Sequence, residues 1–290
     1  MENILKTNLP FEHEIPKGTK LYFGKNASLK RQIENMASEL LQKNGFEEII
    51  TPYFSYHQHF SVDPNLLLRF SDATNEEISL RADSTFDVVR LMTCRIKDQN
   101  AKKLFYIQPV FNYPSYEIYQ IGAEALDCEN LDDFIKIALN LFDFFGIKPT
   151  LQISNIQIPK QICKLLNLPL SVFENGQIDV LLNLNINWLN KLVSMTNLND
   201  IQEILKIAPK ELENELKTMC DLAKNINTNI VFAPLYYSKM RYYDKLFFRF
   251  LCDNAVLSSG GQYEIDNRVC AGFAVFTDAL IQKLSNKENL

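Results

Sequence analysis

Gln120 and Glu124 stand four apart in Glu117 to Leu126, a strand-like run, so alternation turns both side chains to one face of a sheet. Such a pair can take an ammonium and a neighbouring polar group, or it can be satisfied by nearby backbone. Asp83 and Thr85 supply polar side chains beside Ser84, and both types also favour capping the helix that starts there. Tyr243 and Tyr263 can box and hydrogen-bond an imidazole, although tyrosines more often line a core or its rim. His57 and His59 flank Gln58 at a spacing that puts two imidazoles on one strand face, but two ligands without a third nearby do not make a metal site. The six cysteines are scattered, no two closer than Cys252 and Cys270, which leaves no paired metal or redox motif and predicts free, mostly buried thiols.

The elements that must position these residues read as follows. Leu29, Ile33, Met36 and Leu40 make an amphipathic helix of Ser28 to Lys43, with Ser28 as N-cap and Gly45 beyond its end. Phe46 to Pro52 is a short β-prone run closed by proline. Leu66 to Phe70 and Glu77 to Arg81 bracket a polar turn as a hairpin, and Ser84 to Ile96 reads as helix. Lys103 to Asn112 and Glu117 to Leu126 are joined too tightly for anything but antiparallel neighbours, so the sheet is expected to be largely antiparallel. A second helix runs from about Asn130 to Phe145, with Asp132 and Asp133 at its positive end and Gly146 as its stop.

From Ile156 to about Leu222 the texture is Leu/Asn/Lys-rich and helical, with breaks at Pro159, Pro169 and Pro209. Strand character returns at Asn229 to Tyr236, Asp244 to Cys252 and Ala255 to Ser259, a glycine turn is expected at Gly260-Gly261, and Cys270 to Lys283 passes from strand into a last helix. The expected class is α+β: an antiparallel sheet flanked by helices, built from residues 1–155 and 226–290 and interrupted by a helical insertion at 156–225.

Composition narrows the function classes. A chain of 290 residues, 47% hydrophobic, can bury a substantial core, and 30 basic against 35 acidic side chains provide no electrostatic footprint for a nucleic-acid backbone. No apolar run is long enough to span a membrane, and the first residues lack the pattern of a signal peptide, so a cytosolic protein is expected. Lys30-Arg31 and Lys102-Lys103 are expected as solvated ends.

The order of these units resembles the catalytic core of class II aminoacyl-tRNA synthetases, in the histidyl branch, over nearly the whole chain. Lys30 to Pro52 is similar to the first family motif, a helix and strand that build a dimer interface. Leu80 to Thr85 with Val88-Val89-Arg90 resembles the segment LRPEGT…VVR, Pro109-Val110-Phe111 opens the second motif, and Gln120 to Glu124 resembles the strand Q-x-G-x-E. Tyr242-Tyr243, Phe247-Phe248 and Gly260 to Glu264 resemble the histidine-binding block, and Gly272-Phe273-Ala274 begins the third motif. Each string is weak alone; six in family order are specific.

Departures from the family pattern shape the expected function. The family places two arginines on the ATP phosphates, where adenylation builds charge; here those positions hold Asn112 and Ala279. Two such losses, at about a hundred- to thousandfold each, would reduce catalysis about ten thousandfold or more. Pro114 replaces a glutamate, the loop from Asn112 to Tyr119 is short, and the chain stops after the third motif without an anticodon-binding domain, so tRNA charging is not expected. The positions that hold the amino acid in the family remain polar: Asp83, Thr85, Gln120, Glu124, Tyr243 and Tyr263. Ser238 and Arg241, however, stand where the family has an arginine near the ligand carboxylate and an aspartate.

A retained ligand pocket with lost phosphate clamps resembles the regulatory subunits of ATP phosphoribosyltransferase, a synthetase-like family. The resemblance implies a non-catalytic subunit without cofactor or metal. Its expected partners are the short catalytic subunit, a second copy through the first-motif helix, and histidine as effector, with no nucleic acid or membrane. Two alternatives stand beside it: a divergent adenylating or tRNA-charging enzyme in which Arg241, Arg249 or Arg268 replaces the lost clamps, and a synthetase-fold dimerisation or processivity module of another machine.

Overall fold

The computed structural model describes residues 14–96, 102–224, 226–238, 240 and 242–288. The first helix, α1 (Lys25–Lys43), starts three residues before the expected cap, because the turn into it is made by Gly24 at φ 55 and not by a Ser28 side chain. Ile33, Ala37 and Leu41 recur every four residues on its buried side, and Asn44 closes its end by donating from Nδ2 to the Leu40 carbonyl at 2.8 Å. After β1 (Glu47–Glu48), a small antiparallel sheet forms from β2 (Phe54–Ser55), β3 (Arg69–Ser71) and β4 (Glu77–Leu80). The hairpin is as expected, except that Leu66 ends a short 3-10 turn. α2 (Thr85–Leu91) continues into one wide turn over Met92–Ile96, so the expected helix changes hydrogen-bond pattern midway.

The central hairpin of β5 (Lys103–Asn112) and β6 (Tyr116–Leu126) follows the sequence reading closely, and α3 (Asp132–Phe144) comes next. β7 (Thr150–Asn155) leads into α4 (Gln157–Leu166), α5 (Ser171–Glu174), α6 (Ile178–Leu182), α7 (Asn187–Ser194), α8 (Leu198–Ile204) and α9 (Glu213–Lys224). Pro159 does not break the chain: it is the third residue of α4, in the first turn, where no intrahelical donor is needed. β8 (Asn229–Phe232), β9 (Tyr243–Cys252), β10 (Ala255–Ile265), β11 (Arg268–Phe276) and α10 (Thr277–Glu288) complete the fold.

Eight strands form one sheet in the order β1-β5-β6-β11-β10-β9-β7-β8. The five pairings from β5 to β7 are antiparallel and only the two edges are parallel, β1 on β5 and β8 on β7, so the sheet is largely antiparallel, as expected, with a parallel strand added at each margin. Chain returning to the same edge from a long helical crossover enforces the parallel β7–β8 pair. One face, carrying Phe105, Ile121, Phe248, Phe250 and Phe273, packs on α1, α3 and α10, and the same core continues into Ile158, Leu181 and Leu216 of the helical stretch. The opposite face carries α2 and the polar residues discussed below.

The expected glycine turn at Gly260-Gly261 lies inside β10. These glycines answer crowding: a Cβ at Gly260 would come within 2.7 Å of Phe248 and 2.6 Å of Phe273, and one at Gly261 within 2.9 Å of Tyr243 on the other face. The chain reverses instead at Asp266 and Asn267, both left-handed at φ 52 and 60, which is the geometry of a two-residue hairpin. Of the cysteines, Cys270 is buried and Cys94 exposed, and the other four are half-buried, so the thiols are free but less sheltered than expected. Lys30 is also more enclosed than expected, paired with Glu34 and lying 4.1 Å above the Tyr119 ring.

Candidate functional site

Glu124 sits at the middle of the polar face, on β6, flanked by β5 and β11. Its room comes from a missing side chain on the neighbouring strand, since a Cβ at Gly272 would stand 1.7 Å from Glu124 Oε2. Three hydroxyls converge on the carboxyl group: Thr85 donates to Oε1 at 2.7 Å, Tyr263 to Oε2 at 2.6 Å, and Tyr106 reaches Oε1 at 3.4 Å. Burial pushes the Glu124 carboxyl up to about 8, against the opposing effect of these hydrogen bonds.

Asp83 lies beside this group and serves two purposes. Its Oδ2 accepts the Phe86 N–H at 3.0 Å, which caps α2, and its Oδ1 accepts the Tyr242 hydroxyl at 3.3 Å. Burial raises its carboxyl to about 6, and nearby Asp87 adds to the rise. The two readings of Asp83 and Thr85 therefore divide: Asp83 caps the helix, whereas the Thr85 hydroxyl is committed to Glu124. Tyr242, Tyr243 and Tyr263 form a contiguous cluster, with ring centroids 4.7 Å apart for Tyr242–Tyr243 and 5.3 Å for Tyr242–Tyr263. Gln120 shares the face but lies opposite Gln108 and Phe276, and among the described residues no hydrogen bond joins it to Glu124.

Of the six residues selected from sequence, the structure thus brings Asp83, Thr85, Glu124, Tyr243 and Tyr263 together and leaves Gln120 apart. It adds Tyr242 and Tyr106, of which only Tyr242, neighbour of a selected tyrosine, carried a sequence signal. It also adds Gln58, whose Oε1 accepts the backbone N–H groups of Ala82 and Asp83 at 2.8 and 2.7 Å while its Nε2 donates to Asp87. Arg81 locks the same segment from behind. Wholly buried, it donates to the carbonyls of Thr51, Pro52 and Pro109.

Ser238 is buried and accepts the Met240 N–H, so it offers no positive charge; Arg241 lies outside the described residues. Arg268 forks onto Asp127 at 3.1 and 2.8 Å on the exposed hairpin and is not poised as a clamp over the site. His57 precedes and His59 lies within a 3-10 turn, not a strand, and their rings lie against Phe60. Among the described residues no three His, Cys, Asp or Glu side chains converge as metal ligands.

The positions matching the family's phosphate clamps face a different environment. Asn112 ends β5 with its Oδ1 buried and unpartnered, and Ala279 lines a cavity of about 740 Å³ with Lys20, Glu117 and Asp278. Asp278 is fixed there by the Tyr22 hydroxyl and by the Tyr119 N–H at 3.1 Å. Among the described residues, two carboxylates against one lysine disfavour a polyphosphate. Among the described residues no helix is long and apolar enough to cross a membrane.

A fold of this topology, with a carboxylate–hydroxyl cluster on the open face of the sheet, is that of the histidyl-tRNA synthetases. The family model described as Histidyl-tRNA synthetase matches residues 22–280, and the chain belongs to that family. Within it the chain falls among the ATP phosphoribosyltransferase regulatory subunits. It is 43% identical to the protein of that name from Wolinella succinogenes, over 94% of this chain and 96% of the relative, and 37% identical to that from Helicobacter hepaticus, over 94% and 98%. The fold matches a crystal structure of an ATP phosphoribosyltransferase regulatory subunit/histidyl-tRNA synthetase from Bacillus halodurans, with TM-score 0.81 at 19% identity, covering 95% of this chain and 84% of the other. Histidyl-tRNA synthetase from Nostoc matches with TM-score 0.76 at 16% identity, covering 96% and 76%.

Proposed function

We propose that this chain is a non-catalytic cytoplasmic subunit that activates a short-form ATP phosphoribosyltransferase, a glycosyltransferase in the first step of histidine biosynthesis, and transmits feedback by histidine. The observation that carries this reading is the contrast between the two family sites. A carboxylate with convergent hydroxyls is kept at Glu124, Thr85 and Tyr263, whereas the positions of the phosphate clamps hold Asn112 and, in a cavity with Glu117 and Asp278, Ala279. The names of the relatives support the partner assignment.

Histidine is proposed to bind at Glu124, Thr85, Tyr263, Tyr243 and Asp83, with Gln120 at the margin. It can inhibit only by favouring the inactive state of the complex, and a differential affinity of about 1 to 3 kcal/mol suffices. The helical stretch 156–225 is read as an insertion in the synthetase-like core, an assignment supported by the side-by-side placement of β7 and β8 at its two ends. A homodimer through the outer side of α1 is supported by the exposed apolar residues that flank that helix, among them Phe23 at 88% and Ile50 at 85% exposure.

The test is phosphoribosyl transfer by the short catalytic subunit with and without this chain, titrated with histidine. Activation that histidine reverses is expected, and Glu124→Ala should abolish the reversal. No activation, combined with amino-acid-dependent pyrophosphate exchange by this chain alone, would replace the proposal with an adenylating enzyme. No activation together with co-purification of an unrelated partner would instead favour a dimerisation module.

A further inference from the structure

A cavity of about 760 Å³ opens between the polar face of the sheet and the helical stretch. Glu124, Thr85, Asp83 and Tyr263 are not part of its wall; of the carboxylate cluster only Tyr243 borders it. Its size is that of a small-molecule site, and the wall is mostly apolar and aromatic, with Tyr236, Phe247 and Phe276 among its residues.

Among the described residues one cation lies in this wall, and its surroundings leave it incompletely satisfied. Arg249 projects from β9 with its guanidinium 3.9 Å from the Tyr236 ring centre, and that ring is itself stacked on Phe247 at 5.4 Å. Its Nη2 donates to Gln152 Oε1 at 2.7 Å, while its Nε is buried without a hydrogen-bond partner. No ion pair among the described residues involves Arg249, and the one acidic side chain described in the wall, Glu174, is exposed. A guanidinium held flat by an aromatic ring, with no carboxylate beside it and with Nη1 making no hydrogen bond among the described residues, is prepared for a planar, two-pronged anion at its Nη end. The aromatic wall beside it suits a flat body attached to that anion.

We propose that this cavity binds a small organic anion, a carboxylate or phosphate on a flat heterocycle, with Arg249 as its anchor. The site is separate from the Glu124 cluster and does not require the partnership proposed above. The same chemistry has two sources, the carboxylate of an amino acid such as histidine and a free organophosphate.

The experiment uses the full chain, titrated with L-histidine, with histidinol, which lacks the carboxylate, with AMP and with inorganic phosphate. Calorimetry reads affinity, and methyl NMR of labelled methionines reads location: Met195 lines the cavity, whereas Met92 packs in the cluster with Tyr106 and Tyr263. The expected result is a probe that shifts Met195 and binds about ten- to a hundredfold more weakly to Arg249→Gln, as loss of charge-assisted hydrogen bonds predicts. Arg249→Lys should recover only part of that loss, because lysine keeps the charge without the fork. Binding of histidine but not histidinol would assign the anion to an amino-acid carboxylate, and binding of AMP or phosphate would assign it to a phosphoryl group. The proposal is overturned if no probe moves Met195, or if Arg249→Gln binds as the parent does. Should Arg249→Gln fail to fold, unchanged affinity in Arg249→Lys together with salt-independent binding by the parent would overturn it equally.

Discussion

Replacing Glu124 by Gln should remove a pH dependence from the stability of the protein. In the folded chain burial raises this carboxyl from its ordinary 4.5 to about 8, whereas the unfolded chain titrates near the ordinary value. Between those limits the native state holds a proton that the unfolded state has released. Stability is therefore greatest at the acid end of the window and falls as pH rises, by about 1.4 kcal/mol per pH unit, levelling above the folded value. Over the full window the ceiling is about 5 kcal/mol, comparable to the total stability of many domains. Glutamine keeps the shape and has no proton to lose, so parent and variant should differ little near pH 5. By pH 8 the variant should be more stable by about 3 to 5 kcal/mol. Asp83 titrates in the same direction in both proteins and largely cancels in the difference. Urea denaturation of both proteins at four pH values from 5 to 8, at fixed ionic strength, measures the effect. A difference that stays flat with pH, or that grows towards acid, would refute the argument that burial holds Glu124 protonated.

Gly272→Ala places a methyl group 1.7 Å from Glu124 Oε2 and 2.8 Å from the Ala123 carbonyl; a loss of about 1 to 3 kcal/mol is expected in denaturation, together with loss of the histidine response. Arg81→Lys cannot reach the Thr51, Pro52 and Pro109 carbonyls together, and should cost about 2 to 4 kcal/mol in the same assay; a change under about 0.5 kcal/mol would contradict the role given to its fork. Ile50→Glu should shift a dimer to monomer in sedimentation, and a parent chain that is monomeric at every concentration would remove the homodimer from the proposal.

The long central strands are legible because two β-prone runs of about ten residues joined by so short a connection can only be antiparallel neighbours, and β5 and β6 lie close to where that reading puts them. The site was legible only in part. The Thr85–Glu124 and Tyr263–Glu124 contacts join residues 39 and 139 positions apart, so local spacing could not pair them; the order of family motifs did. Gly260-Gly261 was misread because a glycine pair signals either a turn or a crowded strand, and only the rings of Phe248, Phe273 and Tyr243 distinguish the two. Gln58 carries no local signal, and Arg81 only its place in the segment Leu80 to Thr85, which says nothing of what it holds. Their roles exist only once the backbone of residues 81–83 has come to rest beside them.

The way Arg81 closes the outer side of β5 bears on how this molecule can assemble. β1 covers only two residues of β5; beyond it the Arg81 guanidinium takes the Pro109 carbonyl and the Arg81 carbonyl takes the Phe111 N–H. At the far end β8 is four residues long, and its Phe232 N–H is bonded to the Thr196 carbonyl. Neither margin presents a long row of free peptide groups, so another chain gains little by adding a strand. Self-templated fibre growth along this sheet is discouraged, and a lasting complex built at either of its margins must be recognised through side-chain shape and charge, which leaves such partners separable by surface mutation without disturbing the sheet.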